Sequence, residues 1–265
     1  MTRTLSLDIV HATFSREVAE HRLNRFLHVH LALCAIAGLL PLFTPDEAAR
    51  SAPLWVLQAV LYCLSLSSLL LGLSAAQGDA DEFSLIFTQP VSRSGWLAGK
   101  AMALAALLGP AAVLLIVPTA LTTGLSVPLV AVAAAAAGVC LALALLGMAV
   151  GFWVRDHVRG LLSALGLWFL LLFGTDLLLL AVAGAPWAQA RQDVWVLPIM
   201  LNPLSALRVT VLFGLEHTAP ASVGATRLIT WWLEHGGLWL ALLLTGWTAG
   251  AFGLGVAGAQ RRLDH

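Results

Sequence analysis

Apolar residues run along this chain in six long blocks, near 26–44, 53–76, 101–123, 127–153, 160–183 and 237–259. Crossing a hydrocarbon core as a helix takes about 20 predominantly apolar residues, and each block has close to that number or more. Lipid offers backbone N–H and C=O groups no partner, so such blocks must be helical. Strands of alternating polarity, which a membrane barrel needs, are not seen. The expected fold class is therefore an all-α polytopic membrane protein with six transmembrane helices in a single domain.

The stretches between the blocks are equally informative. In residues 4–25, Leu5, Ile9, Ala12, Val18, Leu23 and Phe26 are interspersed with Asp8, Arg16, Glu17, Glu20, Arg22 and Arg25. This predicts an amphipathic elbow helix lying in the membrane surface and running directly into the first span. The same stretch lacks the continuous apolar core of a secretory signal. Residues 184–236 contain Trp187, Trp195, Trp231 and Trp232, which favour the membrane interface. Residues 194–214 are nearly apolar enough for a seventh span, but Pro198, Asn202, Pro203 and Arg208 interrupt them. Short or re-entrant helices toward the outer face are expected there.

Residues 78–100, "GDADEFSLIFTQPVSRSGWLAGK", separate the second and third blocks. Asp79, Asp81 and Glu82 suit the positive N-terminal end of a short helix. Phe83, Leu85, Ile86 and Phe87 give that helix an apolar side, and Pro90 ends it. Ser92 or Ser94 can cap the next helix. Exposed aromatics rimmed by charge mark a docking surface.

Composition narrows the class. The chain has 265 residues, 60% hydrophobic and 11% charged, with mean hydropathy +0.90. Soluble domains carry about 25% charged residues, so this chain cannot coat a water-facing surface of its size. Formal net charge is zero, and no basic patch suggests nucleic acid. With both termini in the cytoplasm, the inside holds Arg3, Arg16, Arg22, Arg25, Arg93, Lys100, Arg155, Arg159, Arg261 and Arg262, ten of fourteen Lys and Arg. The outside holds Arg50, Arg191, Arg208 and Arg227, and this bias sets the expected orientation.

Candidate chemistry is sparse. Gly95 to Ala101 resembles a phosphate-binding loop, but the spacing is one residue short and Ala101 has no hydroxyl for Mg²⁺. Any ATP must be bound by another chain. No H-E-x-x-H or G-x-S-x-G motif occurs, so no catalytic residue is assigned. Ser65, Ser67 and Ser68 are expected to hydrogen-bond between helices. Cys34, Cys63 and Cys140 are read as small buried hydrophobes. His28 and His30 stand two apart, so they do not share a helix face, and no metal site is expected. Asp176, in "LWFLLLFGTDLLLLAVAG", is the acid set deepest in an apolar block. It lies roughly 24 Å along the helix from Gly160, toward the outer leaflet, and is an intramembrane candidate site.

With these features in place, the chain resembles the permeases of ABC-2 type ABC transporters. The shared marks are the elbow helix, the six spans, the acidic-to-basic loop after the second span and the re-entrant pieces between the fifth and sixth. The loop ends Pro90-Val91-Ser92-Arg93 and Leu97-Ala98-Gly99-Lys100, as that family's loops commonly do, although Phe83-Ser84 replaces a common Gly-Thr pair. Residues 163–182, with Trp168, Phe169 and Asp176, and residues 201–209, "LNPLSALRV", resemble the NosY-type permeases of nitrous-oxide-reductase maturation, a copper processing system.

The resemblance implies a homodimer in the bacterial inner membrane, carrying two copies of a cytoplasmic ABC ATPase and a periplasmic partner protein. No cofactor is expected in this chain, and ATP and Mg²⁺ belong to the ATPase. Asp79, Asp81, Glu82, Phe83, Phe87, Pro90 and Arg93 are the expected ATPase-coupling contacts. Asn202 and Arg208 are the expected contacts to the outer partner. The rival readings are an ABC-2 exporter of other cargo, an ion-coupled secondary transporter using Asp176, and a membrane enzyme.

Overall fold

The structure is a computed structural model that describes residues 7–43, 54–78, 92–182, 184–185, 192–216 and 227–263. The described residues form α1 (Leu7–His21), α2 (Arg25–Leu39), α3 (Leu54–Gly78), α4 (Arg93–Thr123), α5 (Val127–Trp153), α6 (His157–Val182), α7 (Gln192–Leu201), α8 (Pro203–Glu216) and α9 (Arg227–Leu263). By length and composition, five of them can cross a membrane: α3, α4, α5, α6 and the Glu234–Arg261 part of α9. The fold is thus that of a multi-pass membrane protein. The helix in the first predicted block, α2, has only 15 residues and continues as a 3₁₀ turn, Leu40–Phe43.

Local sequence explains several helix starts. Asn24, Ser126 and Asp156 are side-chain N-caps, accepting from the backbone N–H of Phe26, Leu129 and Arg159 at 2.9, 3.3 and 2.7 Å. Pro128 stands in the first turn of α5, where its missing N–H costs nothing. Ser92 precedes α4 in an extended conformation, φ −73° and ψ 125°. The third predicted span begins at 101, yet the helix starts eight residues earlier, at Arg93. Within residues 93–100, Trp96, Leu97 and Lys100 are buried and Gly99 lies against α1, so this stretch is packed rather than solvated.

Two wide π turns interrupt the long helices, Val60–Leu64 in α3 and Leu170–Gly174 in α6. A π turn holds an extra residue and so rotates the faces of the helical turns beyond it. Cys63, in the first, is exposed, whereas Cys34 and Cys140 are buried. The expectation that all three cysteines are buried is corrected at this one position. α9 also departs from regular geometry, at His235 (φ −118°, ψ 19°).

The most extensive seam joins α3 to α5. At Gly72 the α3 backbone lies directly on the Ala144 carbonyl, and at Gly147 the α5 backbone lies on that of Leu69. One turn on, a Cβ at Gly151 would sit 2.7 Å from Ala76 Cβ. Small residues four apart let membrane helices approach this closely, and dispersion forces then act across the whole length. The serines add polar links. Ser67 Oγ lies 2.7 Å from His30 Nδ1, and Ser65 Oγ accepts from Trp168 Nε1 at 2.8 Å.

Chain-distant contacts gather six segments at one end of the bundle. α1 lies on the start of α4, where Gly99 faces Thr13 and the Val10 carbonyl. The end of α3 meets the start of α6 at Gln77 and Gly160. The end of α9 meets the end of α5, where Trp153 Nε1 donates to the Leu254 carbonyl at 2.9 Å and the Arg261 guanidinium stacks 5.2 Å from the Trp153 ring. Arg16, Arg93, Lys100, Arg159 and Arg261 fall in these segments, Arg22 lies between α1 and α2, Arg25 opens α2, and Arg155 lies between α5 and α6. Among the described residues, the cations counted on one side by the sequence thus lie toward one end of the fold.

Candidate functional site

The acidic-to-aromatic part of the predicted coupling segment, Asp79, Asp81, Glu82, Phe83, Phe87 and Pro90, lies outside the described residues. Arg93 is the first residue of α4 and is exposed. The anchors on either side of that segment are described, and they form a buried polar joint.

Its centre is Lys100, the only lysine in the chain, at 1% exposure. Its Nζ lies 2.6 Å from Glu17 Oε2 and donates to the Ala75 carbonyl at 3.1 Å. The ammonium also stands 5.2 Å from the centre of the Trp96 ring, within cation–π range. Glu17 is equally buried, on the face of α1 formed by Val10, Thr13, Glu17 and His21. That spacing of three, four and four puts all four residues on one helical stripe. His21 Nδ1 sits 3.7 Å from Glu17 Oε2. Just beyond α1, Asn24 Nδ2 donates to Ser74 Oγ at 2.7 Å. The end of α3 and the start of α4 are therefore both tied to the α1–α2 corner.

Two buried charges in a greasy bundle would be costly apart. Together, each has an opposite charge that offsets part of its desolvation, and Lys100 has the Ala75 carbonyl as well. Mechanically, α1, α3 and α4 cannot separate here without exposing an unpaired ion. Sequence reasoning passed over Glu17 as one of several polar positions on α1 and rejected Lys100 as a phosphate ligand. The available signals were that stripe on α1 and a single lysine at the mouth of an apolar helix.

A second polar group lies on α6 and α8. The α7–α8 break falls at Asn202, as the Pro-Asn-Pro pattern predicts. Asn202 Oδ1 accepts from Leu204 N–H at 3.0 Å, capping α8, while Nδ2 donates to the Leu171 carbonyl in the α6 π turn at 2.6 Å. Thr175 and Ser205 hydroxyls meet at 2.7 Å beside it. At the end of α7, Trp239 and Trp247 indoles donate to the Met200 and Leu201 carbonyls, each at 3.0 Å. Those carbonyls are among the four a helix end leaves unpaired. Asn202, expected to face an outer partner, is instead 6% exposed and turned into α6. Its bonding capacity is used in joining two helices.

Nearly two turns beyond the cap, Arg208 Nη2 donates to Asp176 Oδ1 at 2.6 Å, with both side chains partly exposed at 30% and 40%. Two residues singled out separately in the sequence are therefore one pair. Partial exposure limits its strength. A cycle of Asp176→Asn, Arg208→Met and the double variant is expected to give a coupling of about 1 kcal/mol in thermal unfolding of the detergent-solubilised protein. A coupling near zero would mean that the pair does not hold α8 on α6.

No protein-family model and no curated protein matches the chain.

Proposed function

We propose that the chain is the membrane-embedded permease subunit of an ABC transporter of the ABC-2 class, working in the bacterial inner membrane. In this reading α2 with its 3₁₀ extension is the first of six spans: about 22 Å of α-helix and 8 Å of 3₁₀ turn reach the roughly 30 Å of a hydrocarbon core. α1 is the elbow helix, and α7 and α8 are the re-entrant or outer pieces. Both termini lie in the cytoplasm, on the side of the basic end of the bundle.

The observation that carries the reading is the Lys100 joint. Residues 79–91 connect α3 to α4 between two anchors, Ala75 and Lys100, which are joined to each other, with Lys100 held in turn by Glu17 of α1. A force applied to that segment cannot be absorbed by one helix end swinging free. It moves α1, α3 and α4 as a unit, which is what a rigid-body tilt requires. Two copies of a separate ATPase supply the force when they close on ATP, with Asp79, Asp81, Glu82, Phe83, Phe87, Pro90 and Arg93 as their contacts. A second copy of the chain completes the assembly. The most apolar window of α6 is only 11% buried, which leaves a broad flank for that copy or for lipid. The likeness to NosY-type permeases extends the proposal to a periplasmic partner and to copper-site maturation of nitrous-oxide reductase.

The ion-coupled alternative would work through Asp176. Against it, the Arg208 guanidinium already holds the carboxylate oxygen that a transported cation would need.

Co-expression with an ATPase encoded beside the chain tests the proposal. The two proteins are expected to purify together, and deletion of residues 80–92 is expected to abolish that association while the deleted chain still reaches the membrane. ATPase retained at full level by the deletion variant would refute the coupling role.

A further inference from the structure

The turn between α1 and α2 leaves a mixed set of side chains uncovered. It is closed by Asn24 N–H, which donates to the His21 carbonyl at 3.0 Å, and the Asn24 side chain ties it to Ser74 of α3. At its tip Leu23 is 86% exposed, where turns ordinarily carry Gly, Asn, Asp or Ser. Arg22 and Arg25 stand on either side of it, both exposed. Phe26 and Val29, at the start of α2, continue the apolar surface at 38% and 51% exposure.

Charge at this corner is of one sign. No Asp or Glu occurs between Glu20 and Asp46. Glu20 itself is turned elsewhere: its Oε2 lies 3.7 Å from Arg16 Nε, and a Cβ on Gly78 of α3 would stand 4.0 Å from its Oε1. Glu17 is buried on Lys100. Among the described residues, Arg22 and Arg25 make no ion pair and no side-chain hydrogen bond. Other cations at this end are engaged, Arg16 with Glu20, Lys100 with Glu17 and Arg261 with the Trp153 ring. Arg159 has an acid close by, since Asp156 caps its backbone N–H. Two guanidiniums flanking an apolar tip, with no acid to answer them, call for an external anion that also offers hydrocarbon.

We propose that the α1–α2 corner binds anionic phospholipid of the adjoining leaflet, with headgroup phosphates on Arg22 and Arg25 and with Leu23 and Phe26 inserted beneath them. As the first span, α2 enters the hydrocarbon just beyond Arg25, which sets the corner at headgroup depth. There an arginine stem lies along acyl chains while its guanidinium reaches phosphate, to which it can donate two parallel N–H bonds. A zwitterionic headgroup brings its own ammonium and leaves the two arginines less well neutralised. Because the corner is held to α3 at Ser74, the bound lipid fixes the angle between α1 and α2. The inference rests on α2 being a span, and not on the chain being an ABC permease.

Native mass spectrometry of the full-length purified chain tests it, in mixed micelles holding equal amounts of phosphatidylglycerol and phosphatidylcholine with the same acyl chains. Wild-type protein is expected to retain phosphatidylglycerol in preference. Arg22→Gln and Arg25→Gln are each expected to lower that preference about fivefold, and the double variant about tenfold or more. Both side chains are exposed, so these variants should fold as the wild type does. Arg159→Gln, at the same end of the bundle, is expected to leave the preference unchanged. Equal retention of the two lipids by wild type, or a preference that survives in the double variant, would overturn the proposal. So would an equal loss in Arg159→Gln, which would spread the effect over the whole basic end. Displacement of the retained lipid by inorganic phosphate would assign the corner to a free anion instead. A double variant that keeps its lipid preference yet no longer purifies with an ATPase would assign it to a protein. Lipid retention is read on the chain alone, so failure of any ATPase to bind wild type would leave these outcomes standing.

Discussion

Lys100→Met is expected to destabilise the protein by about 3–5 kcal/mol, because it strands the Glu17 carboxylate in a buried site. Glu17 is 2% exposed, so water cannot take the place of the lost ammonium without opening the α1–α4 seam. Glu17→Leu should cost a similar amount by stranding the lysine. The double variant, Glu17→Leu with Lys100→Met, removes both charges and is expected to recover most of the loss, since apolar residues of similar bulk can replace a buried pair at little cost. Thermal unfolding in detergent reads the stability. A double variant as unstable as the sum of the two singles would show that the pair is not the joint described. Under the proposed permease role, the double variant also separates stability from mechanism: it should fold, yet let α1 slip on α4, so that ATP hydrolysis by the proposed ATPase continues with less work done across the membrane.

The second large effect is expected at the α3–α5 seam. Gly147→Ala adds one methyl group, and the backbone carbonyl of Leu69 already occupies its place. A backbone atom cannot move aside as a flexible side chain can, so the two helices must part along their contact. The expected cost is about 3 kcal/mol, at the upper end of overpacking. Gly246→Ala is the control. A Cβ there meets nothing within 4 Å, and the better helix propensity of alanine should be neutral or stabilise by up to about 1 kcal/mol. If the two variants unfold at the same temperature, close approach at Gly147 is not what holds the seam.

Several features were legible from local pattern. The long apolar blocks became helices. The break inside 194–214 came at Asn202 between Pro198 and Pro203, where the backbone chemistry of proline and the capping habit of asparagine act over a few residues. The serines of α3 serve as inter-helix hydrogen-bond partners to His30 and Trp168, as polar groups in such a span must. α4 begins at Arg93, directly after Ser92, one of the two serines expected to cap it, while the apolar block from 101 marked only the lipid-facing part of that helix. Cys63 was misplaced because a π turn alters phase without any proline or glycine at the site to announce it.

By itself, the sequence determined the helical membrane class and the gathering of most Lys and Arg toward one end. Both arise from transfer energies and backbone hydrogen bonding, which are summed residue by residue along the chain. Only tertiary structure decided that Glu17 meets Lys100, that Asp176 meets Arg208, that Asn202 turns inward, and that Gly72 and Gly147 are contact points among many glycines. Those partners lie tens of residues apart, and helical periodicity names a face without naming what lies against it. The choice is made by close packing and by the cost of leaving a buried charge or carbonyl unpaired, which exist only once the helices have come together.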